Sequence, residues 1–247
     1  MNFQQNIYIL VNAFSFMANV PEAEILKEPE RYSFGEYVKA AFSNTGDMMK
    51  KIVERPRPLF FIVMISIIAA LSALSSYIAY TRVKISIIWP ENLTEEMRSF
   101  MEYAIQLSTN PAIIAVIALL VVPIVYAMGA VIIWIIGLMK AKISSVLTAM
   151  GIIGIPSIFS EIFKMIASLL SPVREITLDL RGGAPSGTPS PNYADLLIDI
   201  VFLPWEAYLI YQLFRSGIGK SMRGSLVSVL IAEAIKYAWT LAGFVRV

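Results

Sequence analysis

The chain has 247 residues, 57% of them hydrophobic and 15% charged, with a mean hydropathy of +0.68; a soluble domain of this length cannot bury that much apolar surface, so a bilayer is the expected solvent. Cysteine and histidine are both absent, which excludes disulfide frameworks, thiol nucleophiles, zinc fingers, His- or Cys-ligated haem and every Ser-His-Asp triad. The formal net charge of +2 is too small to imply nucleic acid as a partner.

Residues 1–57 read as a cytoplasmic N-terminal segment. Its apolar stretch, Ile7 to Val20, lacks a basic region ahead of it and is interrupted by Asn12 and Asn19, so it is not a signal peptide. Phe3, Ile7, Leu10, Phe14 and Met17 recur at helical spacing, which predicts an amphipathic helix on the inner leaflet or against protein. Between Arg57 and Arg82 lie 24 uncharged residues, Pro58 to Thr81. About 20 suffice to span the hydrocarbon, so this is span one.

The next segment places Met97, Phe100, Met101, Ala104 and Ile105 on one helical face, predicting a short helix on the outer interface with Asn92 as N-cap and Glu95 as its capping-box partner. Asn92-Leu93-Thr94 also matches a glycosylation sequon. Span two, Ala112 to Met139, would be about 42 Å long as a helix, so it should tilt, protrude or bend at Pro123. Span three runs from Ser144 to Leu170. Its Gly151, Gly154 and Pro156 predict close helix packing and a bend or break between Gly151 and Ser157.

Residues 173–180 alternate polar and apolar, giving an exposed strand at best, and Gly182 to Pro191 is a flexible linker by composition. Span four covers Tyr193 to Phe214 and span five Leu226 to Val245. The expected fold is therefore an all-α, polytopic membrane helix bundle with five transmembrane helices, at about 58–81, 112–139, 144–170, 193–214 and 226–245. With the N-terminus inside, twelve Lys and Arg fall on inner segments and six on outer ones. The positive-inside rule then predicts a cytoplasmic N-terminus and an outer C-terminus, in the plasma membrane if the source is prokaryotic.

Seven ionisable residues fall within these spans: Glu161, Lys164, Asp195, Asp199, Glu206, Glu233 and Lys236. Charges inside a bilayer face the bundle, a cavity or the interface, so they form the candidate polar network. At 1.5 Å per residue Glu206 lies about 13 Å from the inner end of span four and Lys236 about 15 Å along span five, depths that allow contact. By the same measure Lys164 should meet Asp199 or Asp195 near the outer face. Asp195, Asp199 and Glu206 project along one line of a helix, which suits either a proton or cation path or a set of structural salt bridges. No P-loop, dinucleotide fingerprint, metal cluster or protease motif is present, so no catalytic residue, cofactor or metal is expected.

Three stretches carry a resemblance: RPRPLFF (Arg55 to Phe61) entering span one, WIIGLMKAKISSVLTAMGIIGIPSIF (Trp134 to Phe159) linking spans two and three, and PWEAYLIYQLFRSGIGKSMRGSLVSVLIAEAI (Pro204 to Ile235) entering the last span. With five spans and a cytoplasmic N-terminus, the chain resembles the Yip-domain family of small integral membrane proteins, in its prokaryotic rather than its Golgi form, over about residues 50 to 245. The DLYGP-type motif of eukaryotic members is missing, so a Rab-type GTPase is not expected as a partner. The resemblance implies a non-enzymatic protein that organises or associates with other membrane proteins or itself. A small permease using the acidic stripe, and an accessory subunit of a larger membrane complex, are the alternatives.

Overall fold

The computed structural model describes residues 33–181 and 193–245, the side chains of the second stretch from 194 to 236. The expected N-terminal amphipathic helix and the Gly182 to Pro191 linker lie outside the described residues. The chain divides into two compact units, Met1–Glu36 and Tyr37–Val247. In the first, Ser33 and Glu36 cap each other: the Glu36 N–H donates to Ser33 Oγ at 3.3 Å and the Ser33 N–H to Glu36 Oε2 at 2.5 Å. This capping box opens α1 (Phe34–Ala40).

The second unit starts well ahead of Pro58, where the hydropathy pattern alone sets the membrane domain. From α1 the chain turns through Asn44, at a left-handed φ of 54°, into α2 (Thr45–Glu54). Thr45 Oγ1 donates to the Ala40 carbonyl at 2.6 Å, closing the turn. Tyr37, Ala40, Ala41, Met49 and Ile52 are buried. Lys50 and Lys51 stay exposed, so α2 has one face on protein and one outside it.

The long helices follow: α3 (Pro58–Thr81), α5 (Pro111–Ile136), α6 (Ile143–Ile153) continuing into α7 (Ile155–Leu170), α8 (Tyr193–Gln212) ending in a π-turn at Leu213–Gly217, and α9 (Met222–Val245). Between α3 and α5 stand β1 (Val83–Ile88) and α4 (Glu95–Ser108), and β2 (Arg174–Asp179) follows α7. Among the described residues four helices are long and apolar enough to cross a membrane: Pro58–Thr81, Pro111–Ile136, Ile143–Leu170 and Ala194–Gly217. α3 is the hub, packed against α5, α6 and α7. It buries Phe60, Phe61, Met64, Ile65, Ile68 and Ala69, one stripe at spacings of three and four.

The third crossing is interrupted at Gly154. Pro156 has no N–H to give the Ile152 carbonyl, and the chain closes with a tighter bond from the Ser157 N–H to the Gly154 carbonyl at 3.1 Å. A Cβ on Gly151 would lie 2.7 Å from Phe60 Cδ1 and 3.2 Å from Phe61 Cα, and one on Gly154 would lie 2.7 Å from Ile68 Cδ1. Only glycine lets α3 come this close.

Three features depart from the expectation. The fold is not all-α: β1 and β2 pair in parallel, with Val83 opposite Arg174 and Ile88 opposite Asp179. The alternation of both strands puts Ile85 and Ile87 beside Ile176 and Leu178 on the half-buried face and Lys84 beside Glu175 on the exposed one. Arg82 ties the ends of α3 and α7 together, its carbonyl accepting from the Arg174 N–H at 2.9 Å and its guanidinium donating to the Ser171 carbonyl at 2.6 Å. Just beyond the ladder, hydrogen bonds from Arg181 hold the Asp179 carboxyl down at about 2.

Secondly, the N-cap of α4 is Thr94 rather than Asn92. Thr94 is extended (φ −67°, ψ 150°) and its hydroxyl accepts from the Met97 N–H at 3.4 Å, so Glu95 becomes the first helical residue. Met97, Phe100, Tyr103 and Leu107 remain exposed along the apolar side of this helix. Thirdly, span two ends at Ile136 and not at Met139. Gly137 caps the helix, and Leu138 and Met139 take left-handed φ values of 60° and 54°. Side chains rarely adopt that region, at a cost of about 1–3 kcal/mol each.

Candidate functional site

α7 and α8 bring the first charged group together near the sheet end of the bundle. Lys164 Nζ lies 2.8 Å from Asp199 Oδ1 and 3.4 Å from Glu161 Oε1. The same Asp199 oxygen accepts from Ser160 Oγ at 2.7 Å. Asp195, one turn nearer the sheet end, is close enough to add its charge to the field around Lys164. One cation is thus shared among several carboxylates, and Ser160 supplies a neutral donor that the charge pattern alone did not point to.

α8 and α9 form the second group. Lys236 Nζ lies 2.5 Å from Glu206 Oε2, with the Lys236 side chain 49% exposed and that of Glu206 17%. Glu233, one turn back along α9, has both carboxylate oxygens buried with no hydrogen-bond partner among the described residues. Glu206 sits about 17 Å from either end of the Ala194–Gly217 helix, so this pair lies at mid-depth of that span.

Tyr126, on α5, stands between the groups. Its hydroxyl donates to Ser157 Oγ at 2.6 Å, and it is near enough to feel Glu206 on one side and Glu161 and Asp199 on the other. Sequence reasoning passed over Tyr126, Ser157 and Ser160 because it followed charge. The available signal was positional: Ser157 directly follows the Gly154–Pro156 break, and Tyr126 is a polar tip inside an otherwise apolar run.

The seven expected residues therefore fall into two groups, each built around one ion-paired lysine, with Tyr126 between them and the Gly154–Pro156 break beside its partner Ser157. Two lysines face five carboxylates, so each cation is shared and the carboxylates are in excess. Among the described residues no three carboxylates converge as metal ligands.

The α1–α2 turn packs on α8 next to Glu206. Trp205, next to Glu206, donates from Nε1 to the Ala41 carbonyl at 2.9 Å, and its ring lies 5.0 Å from Phe42 and 5.7 Å from Phe159. The α1–α2 turn therefore reaches about halfway along α8 instead of stopping at the bundle's end.

A model of the Yip1 domain matches residues 39–242, a stretch that starts at the end of α1 and includes α2 and both charged groups. No curated protein and no solved structure matches the chain. With most of its length matched and its apolar helices packed as a bundle, the chain belongs to the Yip1-domain family and is an integral, multi-pass membrane protein.

Proposed function

We propose that this protein is a non-enzymatic, prokaryotic-type Yip member that organises or associates with other integral membrane proteins, crossing the plasma membrane five times with its N-terminus cytoplasmic and its C-terminus outside. The fifth crossing is supported by α9, whose 24 residues span about 36 Å. The orientation is supported by the basic residues Arg57, Lys140, Lys142, Arg215, Lys220 and Arg223, all at the end of the bundle that carries α2.

One observation carries the association. The Glu206–Lys236 pair sits at mid-depth with Lys236 half exposed on the outer surface of α8 and α9. Even when paired, a half-exposed ammonium at that depth is costly to hold against hydrocarbon, and a second helix laid over α8 and α9 would shield it. The same cover would offer a donor to Glu233.

The chain is free of cysteine, so single cysteines report cleanly. A bismaleimide applied to native membranes should link Ile235→Cys to one partner of discrete mass and leave Leu120→Cys, on α5, unlinked. The mass separates a second copy from another subunit. The Glu206→Gln, Lys236→Met double variant should lose the adduct while staying folded. A folded Ile235→Cys protein with no adduct would overturn association, and ion flux through the purified protein in liposomes that is lost in Glu206→Gln would put permeation in its place. Cysteines at Lys142 and Arg181 should label from opposite sides of the membrane; labelling of both by an impermeant maleimide from outside would end the five-span, N-inside topology.

A further inference from the structure

At the α2 end, Arg215 and Lys220 share one turn and Lys140 adds a like charge, and among the described residues none of the three is within ion-pair distance of a carboxylate. Lys220 Nζ donates to the Ile136 carbonyl at 2.7 Å and to Ser228 Oγ at 2.7 Å, and it stands 4.9 Å over the Phe214 ring. All of these partners are neutral. Arg215 Nη1 donates to the Lys220 carbonyl at 3.0 Å, which brings a guanidinium to the same turn. Burial, and then the like charge of Lys140, push the Lys220 ammonium below the usual lysine range. Neither 137–142 nor 213–224 contains an Asp or Glu.

Capping the last carbonyls of α5 accounts for Lys220. It does not account for Lys140 and Arg215, which are exposed beside it and turn three like charges outward, where an anion would join them. An apolar feature adjoins the cluster. Leu138 and Met139, 69% and 57% exposed, are held outward by two consecutive left-handed residues next to Lys140. Trp134 fixes this loop from behind, its Nε1 donating to the Ala141 carbonyl at 2.9 Å. A free phosphate has no use for two exposed apolar side chains, but a phosphate attached to acyl chains does.

We propose that Lys140, Arg215 and Lys220 bind the phosphate of an anionic phospholipid headgroup, with Leu138 and Met139 against its glycerol and upper acyl chain. That this lipid belongs to the cytoplasmic leaflet rests on the orientation proposed above; the site itself does not.

The test uses the full-length protein in detergent micelles, where no leaflet exists, with native mass spectrometry counting bound phosphatidylglycerol and phosphatidylcholine offered in equal amounts. One basic residue near an anionic lipid is worth about a fivefold preference. The expected result is a preference for phosphatidylglycerol of at least that size, which falls about fivefold in Lys140→Gln and in Arg215→Gln and is unchanged in Lys50→Gln, on the exposed face of α2. Equal binding of the two lipids, or an equal loss in Lys50→Gln, would overturn the site in favour of diffuse surface charge. Displacement of the lipid by inorganic phosphate at matching concentration would keep a phosphate site and overturn its lipid source. A preference that holds in micelles but is met by the outer leaflet of a vesicle would refute the orientation and leave the site standing.

Discussion

α5 and the α6–α7 crossing are neighbours built on opposite plans. α5 has no charged residue and is the more apolar, yet only 11% of its apolar stretch is buried within the protein. The α6–α7 crossing carries two glycines and a proline, and 61% of its apolar stretch is buried, mainly in α6 and the first residues of α7, with Glu161 and Lys164 farther along. In water the order would be reversed, since the most apolar helix would occupy the core. In a bilayer the lipid is as apolar as leucine, so apolar side chains gain little by moving inward. Close backbone approach and hydrogen bonds decide which helix is central.

The contrast yields a ranked set of expectations. Lys164→Met should have the largest effect, about 3–5 kcal/mol, because it strands Glu161 and Asp199 without their shared cation. Adding Asp199→Asn should restore part of that loss, as read by denaturant titration in mixed micelles; no recovery would mean that Lys164 acts through packing alone. Gly151→Leu comes next, at about 3 kcal/mol, because even its Cβ meets the Phe60 ring. The check is the loss of a monodisperse peak in size-exclusion chromatography.

Ile152→Ala, at a residue with no exposure, should cost about 2 kcal/mol. This is the low end for such a change, because lipid cancels much of the transfer term and leaves mainly the cavity. Leu120→Ala on α5, 63% exposed, should stay within about 0.5 kcal/mol. Equal losses at Ile152 and Leu120 in the same titration would break the comparison.

The helices were legible because charge brackets them. α3 has the limits expected from Arg57 and Arg82, and the break in the third crossing falls within the interval set by Gly151 and Ser157. Span two was drawn three residues too long because Gly137 stops the helix while the apolar run continues through Leu138 and Met139. The α1–α2 hairpin was hidden for another reason: its short helices mix Lys and Glu with apolar residues, and their burial depends on Trp205 and the π-turn far along the chain. In the candidate site, opposite charges at equal depth pointed to the ion-paired residues. Tyr126, Ser157 and Ser160 carry no charge, and their partners are visible only once the helices are packed.

β1 shows why a local pattern was not enough. VKISII alternates as a strand should, but a strand needs a partner, and its partner begins at Arg174, 91 positions after Val83. That separation bears on how the protein is made. At about 5–20 residues per second, β1 waits about 5–18 s after leaving the ribosome before β2 exists. Both strands also have to reach the same side of the membrane, so the ladder can form only after two further helices, α5 and α6–α7, have been inserted. Until then β1 presents two unpaired edges, and its exposed Lys84 is the kind of charged side chain that blunts such an edge.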